Sequence, residues 1–302
     1  MSPKIFIIIL NFNGWSDTLE CLDSLNKVVY DNFEVILIDN GSDDNYRLPT
    51  TNHQLKIEAI YNKENLGFAG GNNQGIKLAL DPPAGGGADY VLLLNNDTTV
   101  ESDFLTKLVQ AGEANKKAGI LGPVIYDYAD RDKIQFAGGK INWAKTRGTH
   151  ITIPPFEKGG RGEILPTDYI TGCCLLIKKE VIEKIGLLSE DYFLYYEDTD
   201  WCLRAKKAGY ECFLIVDSKI YHKHSKSAQE FSYPYIYYHS RNGLIFASRF
   251  GSRFLTYLIS VWIFLKQVIK LVIGYKRNWA RPVMRGVIDF WRGKKGKLEG
   301  YY

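Results

Sequence analysis

Cysteine and methionine are scarce in this 302-residue chain: five of the first and two of the second. No C-x-x-C spacing occurs among the cysteines, so neither a disulfide scaffold nor a zinc ribbon fits. Cys173 and Cys174 stand side by side in the apolar run 170–177 and read as small buried hydrophobes. Long hydrophobic runs are also missing. The run 5–10 near the N-terminus is too short for the core of a signal peptide, which predicts a reducing, cytoplasmic setting. The most apolar stretch, 254–273, is uninterrupted for only about a dozen residues, short of the ~20 that a membrane span requires. Lys266 and Lys270 lie inside it. The glycine-rich segment 65–75 has its glycines at 67, 70, 71 and 75, which is not G-x-G-x-x-G, and no P-loop lysine follows. That spacing argues against a dinucleotide dehydrogenase and a P-loop NTPase.

What is present is the balance of a folded domain, 45% hydrophobic and 24% charged. The length allows one large α/β domain with an appendage. The net charge of +4 conceals an asymmetry: residues 1–240 carry 25 Lys+Arg against 32 Asp+Glu, and residues 241–302 carry 13 against only Asp289 and Glu299. An acidic globular body and a basic tail with its own partner are expected, divided after residue 240. Anionic lipid is the favoured partner, because no nucleic-acid recognition motif accompanies the charge.

Short apolar runs at 4–10, 33–38 and 90–94 read as buried strands, with a weaker one at 56–61. Between them helices are expected from Asp17 to about Lys27, over 70–80, and over 102–117, the first opened by a capping-box pair, Asp17 and Glu20. This alternation predicts a mostly parallel sheet covered on both faces, with ligands beyond the carboxyl ends of its strands. From Gly119 the pattern turns irregular. Residues 168–178 read as one long strand, 192–209 as a helix closed by Gly209, and 210–221 as a strand pair leading to His222 and His224.

Three of the strands end in amide and carboxylate clusters: Asn11/Asn13, Asp39/Asn40/Asp43 and Asn95/Asn96/Asp97. One would be an ordinary turn; three at one sheet edge make a polar crevice. Carboxylates repel a diphosphate unless a divalent cation lies between them. Asp97 is the first candidate metal ligand. His222 is the second and His224 a weaker third, since imidazole suits Mn²⁺-type sites. At helical spacing Glu197, Asp200 and Arg204 share one side, so Asp200 and Arg204 neutralise each other. Asp198 falls on another stripe with Trp201, an unpaired carboxylate at a helix start that can accept a proton. Its alternative role is that of a cap. The segment from Asn65 to Gly75 offers a backbone that a ligand can approach closely and amides that can bond it.

Read in order, Ile9-Leu-Asn-Phe-Asn-Gly14, Ile38-Asp-Asn-Gly-Ser-Asp43, Asn65-x-Gly-Phe-Ala-Gly-Gly-x-Asn-x-Gly75, Leu94-Asn-x-Asp97, Thr171-Gly172, Tyr196-Glu-Asp-x-Asp-x-Cys-x-Arg204 and His222 with Ser227 resemble the family-2 glycosyltransferases, particularly the rhamnosyltransferase-like branch. The resemblance covers about residues 3–245. It implies a Rossmann-like A-type glycosyltransferase fold with C-terminal amphipathic helices, and a metal-dependent, inverting hexosyltransferase. The donor would be a UDP- or dTDP-sugar, the cofactor Mn²⁺ or Mg²⁺, and the acceptor a lipid-linked or polysaccharide chain of the cell surface. Asp39 would meet the nucleobase. Asn11, Asn13, Asn65, Gly71, Asn73 and Asn96 would line the nucleotide pocket. Asp97 takes the place of the last acid of the family's metal-binding D-x-D, whose first position is Asn95 here. Asp198 matches the general base, with Gly172, Glu197 and Trp201 around the reacting sugars. Asn72 stands where the family often has Arg. The readings from other classes are a sugar nucleotidyltransferase and a catalytically inactive nucleotide-binding scaffold.

In the tail, Arg253, Thr256, Ser260, Gln267 and Lys270 fall on one narrow helical stripe and leave a wide apolar face. Basic residues from Lys276 to Lys297 follow, interleaved with Trp279 and Trp291. This pattern predicts peripheral attachment to the inner face of the cell membrane. The other occupant for such a face is the catalytic body or a second copy of the chain in a homodimer.

Overall fold

A computed structural model describes residues 2–43, 46, 55–83, 85–143, 147–153, 163–223 and 232–300. Its core is a sheet that begins with the apolar runs. Strands β1 (Ile5–Asn11), β2 (Phe33–Asp39), β3 (Ile57–Tyr61) and β4 (Tyr90–Asn95) are parallel neighbours, paired in the order β3-β2-β1-β4. Between them lie α1 (Trp15–Leu25) and α2 (Gly67–Leu80). Ile5, Ile7, Ile8 and Ile9 are all fully buried, as expected of a strand covered on both faces. The close packing of α2 depends on glycine: a Cβ at Gly71 would lie 2.5 Å from Leu10 Cδ1, and one at Gly75 would lie 2.8 Å from Ile8 Cγ2.

The second half of the sheet is mixed. After β5 (Thr98–Val100) and α3 (Phe104–Ala114) come β6 (Ala118–Asp127), β7 (Ile134–Phe136), the hairpin β8 (Gly139–Asn142) and β9 (Arg147–His150), β10 (Ile164–Thr167) and β11 (Cys174–Lys178). Then follow α4 (Lys179–Ile185), α5 (Glu197–Lys207) and β12 (Glu211–His222). β11 runs antiparallel to both β4 and β6, and β12 runs parallel to β6. The carboxyl ends of β1, β2, β4 and β12, together with the start of β11, therefore share one sheet edge.

Several expectations are corrected. Residues 168–178 are not one strand: the chain turns at Thr171–Cys173, where a Cβ on Gly172 would lie 2.8 Å from Phe68 Cζ. The helix expected from residue 192 starts at Glu197, and 210–221 is a single strand. The capping box is absent. Helix α1 opens at Trp15 with no side-chain cap, and the Asp17 and Glu20 carboxylates accept from Lys223 Nζ instead, at 2.7 and 2.5 Å.

The tail comprises α6 (Tyr233–Phe250), α7 (Arg253–Val272) and α8 (Arg277–Trp291). The division expected after residue 240 falls inside α6, which is part of the body. Arg241 and Asn242 are buried there and donate to the carbonyls of the loop before α5: Asn242 Nδ2 reaches Tyr192, Leu194 and Tyr195 at 2.9, 2.8 and 3.1 Å, and Arg241 Nη2 reaches Tyr192 at 3.3 Å. That loop holds Phe193, Tyr195 and Tyr196 at φ of 63°, 68° and 79°. Such a conformation costs about 1–3 kcal/mol per residue and persists only where surrounding contacts impose it. Here α6 imposes it.

Helix α7 is inverted relative to a core helix. Its buried residues are Thr256, Ser260 and Gln267, with Ser260 Oγ accepting from Trp291 Nε1 of α8 at 2.7 Å. Its outward residues include Phe254, Trp262, Ile269 and Val272, at 73, 62, 60 and 78% exposure. The stretch read from the sequence as too short for a span forms a 20-residue helix that is, by length and composition, apolar enough to cross a membrane.

Candidate active site

At the ends of β1 and β2 the polar residues bind one another. Asn11 Nδ2 donates to Asp39 Oδ1 at 2.9 Å, and Asn11 Oδ1 accepts from Thr18 Oγ1 at 3.0 Å and from Asn96 Nδ2 at 3.3 Å. Asn13, with φ of 54°, exchanges two hydrogen bonds with Asp43, at 3.0 and 2.8 Å. Asn65 Oδ1 accepts from Asn40 Nδ2 and from Gly67 N, holding the glycine-rich entry against β2. Asn11, Asn13, Asp39, Asn65 and Asn96 thus gather at the same end of the sheet, fixed by mutual bonds before any ligand arrives.

Two expected site residues, Asn73 and Trp201, are committed elsewhere, and Gly71 serves packing. The Asn73 amide is buried and committed to Leu188 N and O and to Glu190 Oε1. A Cβ at Gly71 would meet Leu10 Cδ1 at 2.5 Å and Asn40 Nδ2 at 3.3 Å, so its missing side chain lets α2 pack beside the end of β2. Trp201 is fully buried and donates to Gly186 O at 2.8 Å, so it belongs to the core.

Asp97 and His222 meet because β5 pairs antiparallel with β12, placing His222 opposite Thr98. Asp97 Oδ1 and His222 Nε2 face each other at 3.3 Å. Both atoms are buried and neither completes a hydrogen bond of good geometry. On the other side of the ring, His222 Nδ1 lies 2.8 Å from Gln135 Oε1, an acceptor, so Nδ1 is the donor. Gln135 is itself held, its Nε2 donating to Asp127 Oδ2 and to His222 O at 3.1 and 3.0 Å. This arrangement leaves the Nε2 lone pair of the neutral ring for a metal. Burial opposes a charge on His222, but Cys173 and Asp97 nearby outweigh it and hold the imidazole well above its ordinary range.

Two orphaned, buried atoms of this donor chemistry fit Mn²⁺ or Mg²⁺. Among the described residues no cluster of three or more His, Cys, Asp and Glu gathers as a metal site. The remaining ligands would be oxygens from outside the protein, as Mg²⁺-type cations take from substrate phosphates. His224 and Ser227 lie outside the described residues.

Asp198 is fastened to the same edge. Its Oδ2 accepts from Gly172 N at 2.9 Å, and its Oδ1 accepts from Thr199 N and Oγ1 at 2.6 and 3.1 Å. The turn that supplies Gly172 is tied to the metal side, since Cys173 O accepts from Asn95 N at 2.9 Å. The expectation of an isolated carboxylate at the helix start is thus refined: among the described residues Asp198 forms no ion pair but is oriented by three donors. Asp200 does pair with Arg204, at 2.6 Å, and also with Arg249 at 2.6 Å and the Tyr192 hydroxyl at 2.9 Å. Glu197 is buried with Oε2 unpartnered, and burial, followed by the charge of Asp198, pushes its carboxyl up to about 8.

Beside Asp198 opens a cavity of about 840 Å³. Its aromatic walls include Tyr195, Tyr196, Tyr235 and His239; the His239 ring stacks 4.3 Å from Tyr195 at 19°. Burial, together with the charges of Arg147 and His150, pushes His239 down to about 4. Sequence reasoning missed this cavity and missed Gln135. Both depend on segments from the irregular region after Gly119 that only the tertiary fold brings together. Ser42, which bonds Asn11 and Asn13, stood inside a recognised motif and was legible there.

Residues 6–186 match the family model for glycosyl transferase family 2. The chain is 26% identical to the low-salt glycan biosynthesis hexosyltransferase Agl10 of Haloferax volcanii, over 99% of this chain and 94% of that one. It is 25% identical to the N-acetylglucosaminyl-diphospho-decaprenol L-rhamnosyltransferase of Mycobacterium tuberculosis, over 82% and 84%. A crystal structure of GalNAc-T7 with UDP, GalNAc and Mn²⁺ superposes with a TM-score of 0.63 at 16% identity, covering 79% of this chain and 47% of that one, a likeness of fold. The fold is the A-type glycosyltransferase fold, and the chain belongs to glycosyl transferase family 2.

Proposed function

We propose that this protein transfers a hexose, rhamnose being the first candidate, from a UDP- or dTDP-linked donor to a lipid-linked or glycan acceptor, with inversion at the anomeric carbon. The observation that carries the reading is the orphaned pair Asp97 Oδ1 and His222 Nε2, 3.3 Å apart, at the edge to which Asp198 is tied. The name of the Mycobacterium tuberculosis relative and the Mn²⁺ and UDP of the GalNAc-T7 structure support it.

Asp97 and His222 would hold Mn²⁺ or Mg²⁺, which when bound offsets the negative charge of the donor diphosphate. The polar ends of β1 and β2 receive the nucleoside. Asp198, oriented by Gly172 N and Thr199, takes the proton of the acceptor hydroxyl. The freed oxygen lone pair forms the bond to the anomeric carbon as the bond to the nucleoside diphosphate breaks, and attack from the opposite face inverts the centre. Glu197, kept neutral at pH 7 beside it, adds no second charge to the base.

The outward face of α7 and the exposed basic residues Lys276, Arg277 and Arg281 fit an anionic membrane surface, each cation contributing roughly 1 kcal/mol there. The reading places the protein at the inner face of the cell membrane.

A thermal-shift panel of UDP-, dTDP- and GDP-sugars with and without Mn²⁺ tests the proposal, paired with assays for released nucleoside diphosphate. A metal-dependent rise in melting temperature with UDP or dTDP, absent in Asp97→Ala, is expected. Nucleotide binding with no diphosphate release would indicate a scaffold. Pyrophosphate release from a nucleoside triphosphate would indicate a nucleotidyltransferase.

A further inference from the structure

Helix α8 ends at Trp291, and the segment 292–298 that follows turns back onto the body. It runs along the loop 191–196, which leads into α5 and so sets where Asp198 stands. Gly296 N donates to Asp191 O at 2.8 Å, and Lys295 Nζ reaches Asp191 Oδ2 at 3.0 Å. Gly296 O accepts from Arg241 Nη2 at 2.8 Å, the same nitrogen that reaches Tyr192 O. Arg241 is therefore clamped between the loop and this segment. Two residues on, Leu298 is buried against Phe193, Tyr237 and Tyr238, and its N donates to the Tyr238 hydroxyl at 2.8 Å. The loop has a second support. Phe193 O accepts from Phe68 N of α2 at 2.7 Å, and the Phe68 ring lies against Gly172, whose N donates to Asp198.

We propose that the segment 292–298 is a strap that holds the loop 191–196 in its left-handed conformation and thereby positions the Asp198 carboxylate, with Gly296 and Leu298 as positioning residues for the transfer. Neither residue lines the cavity beside Asp198, so each acts through the loop. The inference rests on Asp198 being the base of the proposed reaction. Three aromatic residues at positive φ within four positions do not hold that shape unaided. The strap supplies the contacts on one side of them, and α2 supplies those on the other. Gly296 is itself at φ of 69°, and a Cβ there would find its nearest neighbour, Glu190 O, only at 4.0 Å. A side chain thus has room at this position, and the constraint lies in the backbone alone. Asn adopts the left-handed region readily, whereas a β-branched residue does not.

The test compares Gly296→Val, Gly296→Asn and Leu298→Ala in the full chain by amide hydrogen exchange, together with nucleoside diphosphate release from UDP- and dTDP-sugars in Mn²⁺. In Gly296→Val the amides of 192–198 are expected to exchange about tenfold faster, the scale of a left-handed position that loses its glycine, while those of β1 and β4 keep their protection. Leu298→Ala should act in the same direction, and Gly296→Asn should stay near wild type. In Gly296→Val kcat should fall about tenfold with the donor KM unchanged, because the polar ends of β1 and β2 do not touch the strap. Wild-type exchange of the loop in Gly296→Val would overturn the strap. Loss of protection in β1 and β4 as well would make the segment a support of the whole body and overturn its particular tie to the loop. Faster loop exchange with undiminished kcat would overturn the positioning role. Wild-type release by Asp198→Asn would sink the assignment of the base, whereas an inactive Asp198→Asn beside a fully active Gly296→Val would sink this inference alone. If no donor is turned over by the wild type, the glycosyltransferase reading fails and exchange alone decides whether the strap orders the loop.

Discussion

The sheet edge and helix α7 handle buried polarity in opposite ways. At the edge, Asn11, Asp39 and Asn40 are almost wholly buried, yet each is matched by protein partners. In α7 the uncharged polar residues Thr256, Ser260 and Gln267 also face inward, while the outer surface is mostly apolar. Among the described residues the buried side-chain atoms left without a partner near the edge include Asp97 Oδ1, His222 Nε2 and Glu197 Oε2. Those are the places where ligand chemistry is to be expected. The contrast teaches that the edge awaits something small and charged, and α7 something extended and apolar.

The largest effect falls on the edge. Asp198→Asn keeps a single acceptor oxygen, which can hold the bonds from Thr199 but not also the one from Gly172, and it cannot accept the acceptor proton. Transfer should fall ~10²–10⁴-fold, the contribution of a positioned general base, while thermal shifts with UDP or dTDP persist. Activity near wild type would move the base elsewhere. Next comes the neighbouring carboxylate, Asp200, which differs from Asp198 in being wholly buried and bonded to Arg204, Arg249 and Tyr192. Asp200→Ala should lower unfolding stability by about 3 kcal/mol, the scale for removing one partner of a buried pair. Denaturant melts read it, and an unchanged midpoint would show that the two arginines find other partners.

How much of this contrast was legible follows from the range of the interactions involved. Strands β1, β2 and β4 announce themselves because a strand covered on both faces is a continuous apolar run, and the i,i+4 spacing of Asp200 and Arg204 is local. The pair Asp17 and Glu20 looked like a cap because a cap is also local, but their partner Lys223 lies about two hundred residues on. The loop 192–196 looked helical because its left-handed aromatic residues are imposed by Arg241 and Asn242, which sequence placed in a separate tail. For the same reason Asn73 and Trp201 read as site residues: their polar atoms are answered by Leu188 and Gly186, which no spacing predicts. The stripe on α7 was legible as a stripe. That its polar side would face the protein was not, since the decision belongs to Trp291 and Ser260.

A smaller effect tests the apolar side. Trp262 is 62% exposed on α7. Trp262→Glu should weaken flotation with phosphatidylglycerol-containing vesicles by roughly 30-fold, equivalent to about 2 kcal/mol of lost burial. High salt should weaken the wild type too, because the basic residues of α8 contribute through screened charge. If sedimentation instead finds a wild-type dimer that Trp262→Glu dissociates, and no flotation at any salt, a second copy covers the face.

The last effect returns to the edge and is visible as a slope. Glu197 has an ordinary value of 4.5 and is pushed up to about 8, chiefly by burial and then by the charge of Asp198. Between those values the folded chain keeps a proton that the unfolded chain has released. Stability must therefore decline as pH rises through this window and level off above it. Glu197→Gln has no such proton to lose, so its melting temperature should overtake that of the wild type progressively from pH 5 to pH 8. Parallel curves would mean that water reaches Oε2 and ionises it at its ordinary value. In that case Asp198 would work beside a second negative charge, and the edge would resemble the outer polar surface more than the dry, paired interior that surrounds it.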